Sequence, residues 1–352
     1  MTAALASTQG LIAAAVLLLL TAAAGWIVTR WVTAYLNHRR VLDHPNERSS
    51  HSAPTPRGGG IAILAVALPL AATVFWLHLP GMTIWLAILA LTAGLALVSW
   101  LDDLGGLPVA LRFAAHIASV TAALWLLPDN LLVLQGWAPL WLDRLAAGLA
   151  WVWFINLFNF MDGIDGLAGA ETVAICVGLF AIVAVTGDAL GTSAIAVAQA
   201  SVVIAGATLG FLILNWHPAR VFMGDVGAIA LGYLLGWFLL LLACWGYGAA
   251  ALILPAYFIA DATLTLVRRL VTGAAIWRPH ATHFYQRAVQ RGLSHARVTR
   301  FVAAGNCCLI AIALASTQVV TRTGDILCLG GAALIVGWML VWLARAPANA
   351  QT

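Results

Sequence analysis

The sequence predicts an all-α, polytopic membrane bundle of about eleven transmembrane helices. Of its 352 residues, 63% are hydrophobic and only 9% are charged, whereas a soluble domain carries roughly 25% charged residues. Mean hydropathy is +0.97. The apolar residues also fall in runs close to the ~20 needed to cross a hydrocarbon core. These figures exclude a conventional soluble enzyme, a secreted disulfide scaffold and a disordered chain. Cys176, Cys244, Cys307, Cys308 and Cys328 lie inside apolar stretches with no CxxC or Cys/His cluster, and read as small buried hydrophobes.

The first run, 9–29, lacks a basic leading segment and reads as an uncleaved helix. A long polar segment, about 30–60, separates it from runs 61–79 and 82–101, which form a close pair around Gly81. The short segment 102–112 leads into run 110–127, and runs 144–161 and 170–186 share the polar stretch 156–170. Run 194–214 ends in segment 215–226, which opens run 227–244. Run 248–267 precedes a second long polar segment, 268–299, and runs 300–319 and 325–344 close the chain. There is no repeat, so residues 1–352 read as one integral membrane domain.

Arginine orients the bundle. All 17 basic residues are Arg; 15 follow odd-numbered runs or the last one, and only Arg144 and Arg322 fall on the other side. Arg-rich loops stay cytoplasmic, which predicts an outside N-terminus, a cytoplasmic C-terminus and chemistry on the cytoplasmic face.

The acids sit at helix ends on that face, and ionisable groups at a membrane are functional candidates. Asp102 and Asp103 end the third run; adjacent carboxylates need a cation, a proton or an arginine, and supply two hard oxygens to a divalent metal. In "WFINLFNFMDGIDGLAGAE", Asn156, Asn159, Asp162 and Asp165 recur every three residues, so the amides and at least one carboxylate fall on one helical stripe. In "NWHPARVFMGDVG", Asn215 precedes Pro218, and Phe222 stands three residues before Asp225, a pairing that suits base stacking beside a metal-bound phosphate. The segment "RPHATHFYQRAVQRG" brings His280 and His283 together with Arg278 and Arg287; Arg offers bidentate contacts to phosphate, and His can exchange protons. Arg57 before Gly58–Gly60 presents glycine-rich backbone at a helix start, where N–H groups can hold phosphate. Together these suit metal-assisted phosphoryl transfer to a lipid acceptor, with no feature pointing to nucleic acid.

These motifs resemble the polyprenyl-phosphate N-acetylhexosamine-1-phosphate transferases (glycosyltransferase family 4). The similarity runs from about residue 43 to 295, with the motifs in the family's order. It is most specific in Asn156-x-x-Asn159-x-x-Asp162-Gly-Ile-Asp165-Gly-Leu and Phe222-Met-Gly-Asp225-x-Gly. The resemblance implies transfer of sugar 1-phosphate from a UDP-N-acetyl sugar to undecaprenyl phosphate, releasing UMP, at a bacterial inner membrane. It implies Mg²⁺, with Mn²⁺ as a substitute, held by Asp225 with Asp102 and Asp103 close to it. It further implies stacking of Phe222 on uracil and uridine contacts from Asn159, Asp162 and Asn215. Asp165 would help hold the site, and His280 and His283 would stand near the phosphates or sugar. One in-line displacement with Asp102 or Asp103 as base is the simplest route. Relatives place a third acid or a Lys after the Asp pair, whereas Leu104-Gly105-Gly106 follow here and Arg112 is the candidate replacement. The His-bearing loop is similar to the O-antigen and capsule-initiating branch rather than the muramyl-pentapeptide branch. A homodimer is a further partner the family suggests. The competing expectation is a transporter of a phosphorylated or anionic solute, for which Asp261, inside the ninth run, is the acid of interest.

Overall fold

The computed structural model describes residues 5–45, 53–79, 83–186, 190–274, 280–319 and 321–345. Thirteen helices and one two-stranded ribbon follow in order. The first half comprises α1 (Thr8–His38), β1 (Leu42–Asp43), β2 (Thr55–Pro56), α2 (Gly60–His78), α3 (Thr83–Gly105), α4 (Val109–Leu126), α5 (Leu140–Phe160) and α6 (Leu167–Thr186). The second comprises α7 (Gly191–Asn215), α8 (Gly224–Cys244), α9 (Gly248–Ile253), α10 (Ala256–Val271), α11 (Phe284–Gln290), α12 (His295–Gln318) and α13 (Arg322–Arg345). Among the described residues, nine helices are long and apolar enough to cross a membrane.

Helix α8 is the axis. Every residue of it except Asp225 is buried, as expected of a helix that is apolar all round. Helices α2, α3, α5, α6 and α9 surround it. An aromatic column joins these layers: Trp151 stacks on Tyr233 at 4.7 Å and meets Trp237 at 5.5 Å, and Trp85 bridges Trp237 and Phe75. Trp151 Nε1–H also donates to the Tyr233 carbonyl at 2.9 Å, so the indole's one polar atom is satisfied.

Helix α1 packs along α7 through small residues. A Cβ on Gly210 would stand 2.3 Å from the Ala22 carbonyl oxygen, and one on Gly25 2.5 Å from that of Ala207. Close backbone approach is the usual basis of helix association in lipid, where burial of apolar surface no longer favours contact. The outward faces remain apolar, with Leu19, Leu20, Trp76 and Leu334 all well exposed. At the end carrying the α4–α5 connection, Trp125, Trp137 and Trp141 are exposed, as in an interfacial aromatic belt. Arg144 there donates to the carbonyls of Leu131 and Pro128, each at 2.8 Å, and the Arg322 guanidinium lies 3.8 Å from the Trp137 ring.

Three expected boundaries shift. The run 248–267 is not one helix but α9 and α10, broken at Pro255, whose ring blocks the preceding turn. Helix α1 continues to His38, so the polar segment after it begins as helix. The Asn/Asp stripe ends early: α5 stops at Phe160, leaving Asp162 and Asp165 in the turn before α6. The connections α1–α2, α3–α4, α5–α6, α7–α8 and α10–α12 gather at one end, where the site forms.

Candidate active site

Three carboxylates and two arginines form the centre. Asp102 and Asp103 come from the last turn of α3, and Asp225 from the first turn of α8. Arg57 Nη2 lies 2.9 Å from Asp103 Oδ1 and 2.8 Å from Asp225 Oδ1. Arg112 Nη1 pairs with Asp102 Oδ2 and approaches Asp225 Oδ2 at 3.4 Å. The arginines thus offset the mutual repulsion of the acids. Asp103 Oδ2 accepts the Val226 N–H at 3.2 Å, capping the start of α8. Asp102 Oδ1 accepts the Leu107 N–H at 2.6 Å, which fixes the α3–α4 turn.

The donor set fits a hard divalent cation. Asp103 Oδ1 is fully buried and has no aligned hydrogen bond despite its nearness to Arg57. A hard cation is satisfied by one or two carboxylates together with waters and substrate phosphates. Asp103 and Asp225, with Asp102 beside them, would hold it.

Backbone geometry brings these side chains together. Phe222 forms a parallel bridge with Arg57; its N–H donates to Pro56 O at 2.8 Å and its carbonyl accepts from Gly59 at 2.8 Å. Gly60 N–H donates to Met223 O at 2.9 Å. The N–H groups of Gly58, Gly59 and Gly60 are therefore committed to the α8 entry, which corrects the expectation that they cradle phosphate. Gly58 (φ +107°) and Gly224 (φ +74°) adopt backbone conformations that favour glycine. Gly60 and Gly227 touch so closely that a Cβ on Gly60 would stand 2.2 Å from Gly227 Cα.

Beside the centre lies a cavity of about 400 Å³. Its polar lining includes Arg112, Asp225, Asn156, Asn159, His280 and His283, and apolar walls come from Val98, Val109, Phe113 and Ile229. Asn156 Nδ2–H donates to the Val152 carbonyl at 2.7 Å, so its amide is oriented by its own helix. Asp162 follows directly; its pKa is pushed well above the usual carboxylate range, first by burial and then by the Asp225 charge.

A second cluster ties three connections together. His217 donates from Nδ1 to Asp165 Oδ2 at 2.6 Å, and Ala219 N–H reaches the same oxygen at 3.2 Å. His295 Nδ1 lies 3.1 Å from that oxygen and 3.3 Å from the Asp165 N–H. Burial works to raise the Asp165 pKa, but His295, His217 and the Ala219 N–H outweigh it and hold the carboxyl below its ordinary value. Ligand atoms of the three side chains lie within 4.8 Å of one another, yet the contacts onto Asp165 have hydrogen-bond lengths. Thr299 completes the tie by donating to the Asp165 carbonyl at 2.9 Å. Asn215 sits alongside: its Oδ1 accepts Gly166 N–H at 3.0 Å and its Nδ2–H donates to Val221 O at 2.9 Å. Both ends of the amide thus brace loops.

The His-bearing segment is anchored by Asp261. That buried carboxylate accepts Phe284 N–H at 3.0 Å, Tyr257 Oη–H at 3.1 Å and Tyr285 N–H at 3.2 Å, and lies 3.2 Å from His283 Nδ1. It therefore caps α11 and orients His283 into the cavity wall. Tyr285 Oη–H donates to Phe160 O at 2.8 Å, fastening the segment to the end of α5. The His280 ring lies 5.1 Å from that of His283, and burial, with His283 and Arg269 nearby, pushes its pKa down to about 4. Arg287 lies on α11, where burial and then Arg268 and Arg291 lower its pKa. Arg278 lies outside the described residues.

The structure thus joins Asp102, Asp103, Asp225, Arg57 and Arg112 in one centre and places Asn156, Asn159, His280 and His283 on its cavity. Phe222 is half-buried on the strand bridge, and Asp165 and Asn215 form the adjoining brace. Sequence reasoning missed three residues: His116 on the cavity wall, His217 and His295. The available signal for His116 was its spacing of one turn from Arg112 on α4; for the other two it was proximity in sequence to Asn215 and the loop arginines.

Carboxylates, arginines and amides gathered at one end of an apolar bundle define an integral-membrane enzyme built to handle phosphates. The glycosyl transferase family 4 description matches residues 85–243. A decaprenyl-phosphate N-acetylglucosaminephosphotransferase of Mycobacterium leprae is 31% identical over 322 residues, covering 79% of this chain and 77% of the relative. The protein of that name from Mycolicibacterium smegmatis is 30% identical over 367 residues, covering 93% and 88%. A phospho-N-acetylmuramoyl-pentapeptide-transferase of Moorella thermoacetica is 36% identical over 205 residues, covering 52% and 60%. The chain belongs to glycosyl transferase family 4, and its activity is of the sugar-phosphate transferase kind.

Proposed function

We propose that this protein transfers an N-acetyl-amino-sugar 1-phosphate from a UDP-sugar to undecaprenyl phosphate, giving undecaprenyl-diphospho-sugar and UMP. An oxygen of the lipid phosphate attacks the phosphorus that bears the sugar, and the bond from that phosphorus to the bridging oxygen breaks, leaving UMP. The carrying observation is the cavity: Arg112, Asp225, two amides and two histidines meet apolar walls there, as a substrate that is phosphate at one end and hydrocarbon at the other requires.

A bound Mg²⁺, or Mn²⁺ in its place, would neutralise charge on the pyrophosphate in the transition state. Asp225 and Asp103 would hold it, and Arg57 and Arg112 would turn toward phosphate oxygens. Asp102 would serve as the base when the lipid arrives as the monoanion. Asn159 and Phe222 would face the nucleoside, and His280 and His283 the sugar phosphate. We place the reaction on the cytoplasmic face of the bacterial inner membrane, from the arginine distribution, and assign the donor to the O-antigen and capsule-initiating branch, from the Arg- and His-bearing segment. The transporter reading loses its main support, because Asp261 caps α11 and orients His283.

Purified protein given undecaprenyl phosphate, Mg²⁺ and a panel of UDP-N-acetyl sugars tests the proposal through UMP release. Release with one donor, abolished by EDTA and cut sharply by Asp225→Asn, is the expected result. A folded protein that binds neither UMP nor UDP and releases none across the panel would overturn it.

A further inference from the structure

We propose that His116 binds the phosphate of the lipid acceptor; the inference rests on the transferase reading above. His116 lies on α4 one turn beyond Arg112, so the two share a face, and both line the cavity that contains Asp225. The side chain is only 6% exposed, and its Nδ1 is buried without a hydrogen-bond partner among the described residues. Buried polar atoms are almost always paired, so an unpaired nitrogen in a ring that lines the cavity points to a partner that arrives with the ligand.

Depth identifies which ligand. Helix α4 starts at the site end of the bundle, and four residues of rise carry His116 about 6 Å further into it than Arg112. A hydrophilic nucleotide reaches the centre through the loops. The phosphate of a membrane lipid reaches it from the bundle's flank. That flank is α4: Val109 and Phe113 line the cavity and are also 61% and 47% exposed on the apolar surface. The cavity therefore extends from the carboxylate centre to the face of α4 that meets lipid, and His116 lies on its membrane side. There an imidazole N–H would hold one oxygen of the incoming phosphate while Arg112 holds another. The hydrocarbon would leave the cavity over Phe113 and run on along the lipid-facing surface of α4.

The test separates the two substrates. In His116→Ala the KM for undecaprenyl phosphate should rise about 10-fold or more, the loss of one hydrogen bond to a charged group. The KM for the UDP-sugar and the Kd for UMP should stay within about twofold, since neither meets His116. His116→Gln, which keeps an N–H donor, should recover most of the lipid affinity and guards against a folding defect in the alanine variant. Direct binding provides a readout independent of turnover: wild type should prefer a short polyprenyl phosphate to the corresponding polyprenol, and His116→Ala should narrow that preference. A rise in donor KM instead, or unchanged affinities with a lowered thermal midpoint, would overturn the assignment. Wild type that prefers the phosphate but releases no UMP would sink the transferase reading while the binding comparison still decides on His116. Wild type without that preference would overturn the assignment itself.

Discussion

Asp225 and Asp165 are both acids in glycine-flanked turns, but their surroundings give them different work. Asp225 faces two arginines and a cavity; Asp165 is enclosed by two histidines and a backbone N–H. Asp225→Asn should therefore leave the thermal midpoint nearly unchanged and cut kcat by about 10²–10³, the usual cost of one charge-stabilising group. Asp165→Asn should instead destabilise the protein by about 1–3 kcal/mol through lost buried hydrogen bonds, read as a lower midpoint in detergent. His280 adds a pH dependence. Its folded pKa of about 4 lies below its ordinary value, so between roughly pH 6.5 and 4 the unfolded chain binds more protons, and stability falls as the pH is lowered through that window. The slope of midpoint against pH should flatten there in His280→Gln. At this scale the sequence was most legible where polar residues interrupt apolar runs, as at Asn156, Asn159 and Asp225. It was least legible at His116, since a histidine within an apolar run looks like a satisfied core residue until the cavity beside it is seen. Asn215 reads as a ligand in sequence, yet its amide is taken up by Gly166 and Val221.

Element ends, more than element middles, make this site. The starts of α2 and α8 meet at Gly60 and Gly227, with no room for a side chain. Gly60→Ala should cost about 1–3 kcal/mol by overpacking and lower turnover as Arg57 shifts away from Asp225. Gly94→Ala, on α3 with nothing within 4 Å of the added carbon, should change neither midpoint nor rate. Runs of apolar residues disclosed most helices because length alone decides a membrane crossing. Their interruptions were harder to place. The apolar composition continues unbroken across Pro255, so the division into α9 and α10 was visible only as one proline among apolar neighbours. The end of α5 at Phe160 was hidden because Asn and Asp keep a helical spacing past the point where Gly163 and Gly166 release the chain.

Across the whole molecule, the two ends of the bundle differ in charge. The carboxylate centre and most arginines occupy one end, and the exposed tryptophans of the α4–α5 connection mark the other. In a cysteine-free background, Trp137→Cys should react with a membrane-impermeant maleimide on intact cells, whereas Thr282→Cys should react only after permeabilisation. Reversed labelling would invert the proposed orientation. The hydrogen bonds among Asp165, His217 and His295 also have a consequence for biosynthesis. Asp165 leaves the ribosome long before His295, so a nascent chain can thread α1 through α8 into the bilayer with every acid of the centre already made. The bonds that fasten the α5–α6 connection to the start of α12, from His295 and Thr299, must wait for that helix. A chain that stops before His295 would hold the Asp165 carboxylate through His217 and Ala219 alone.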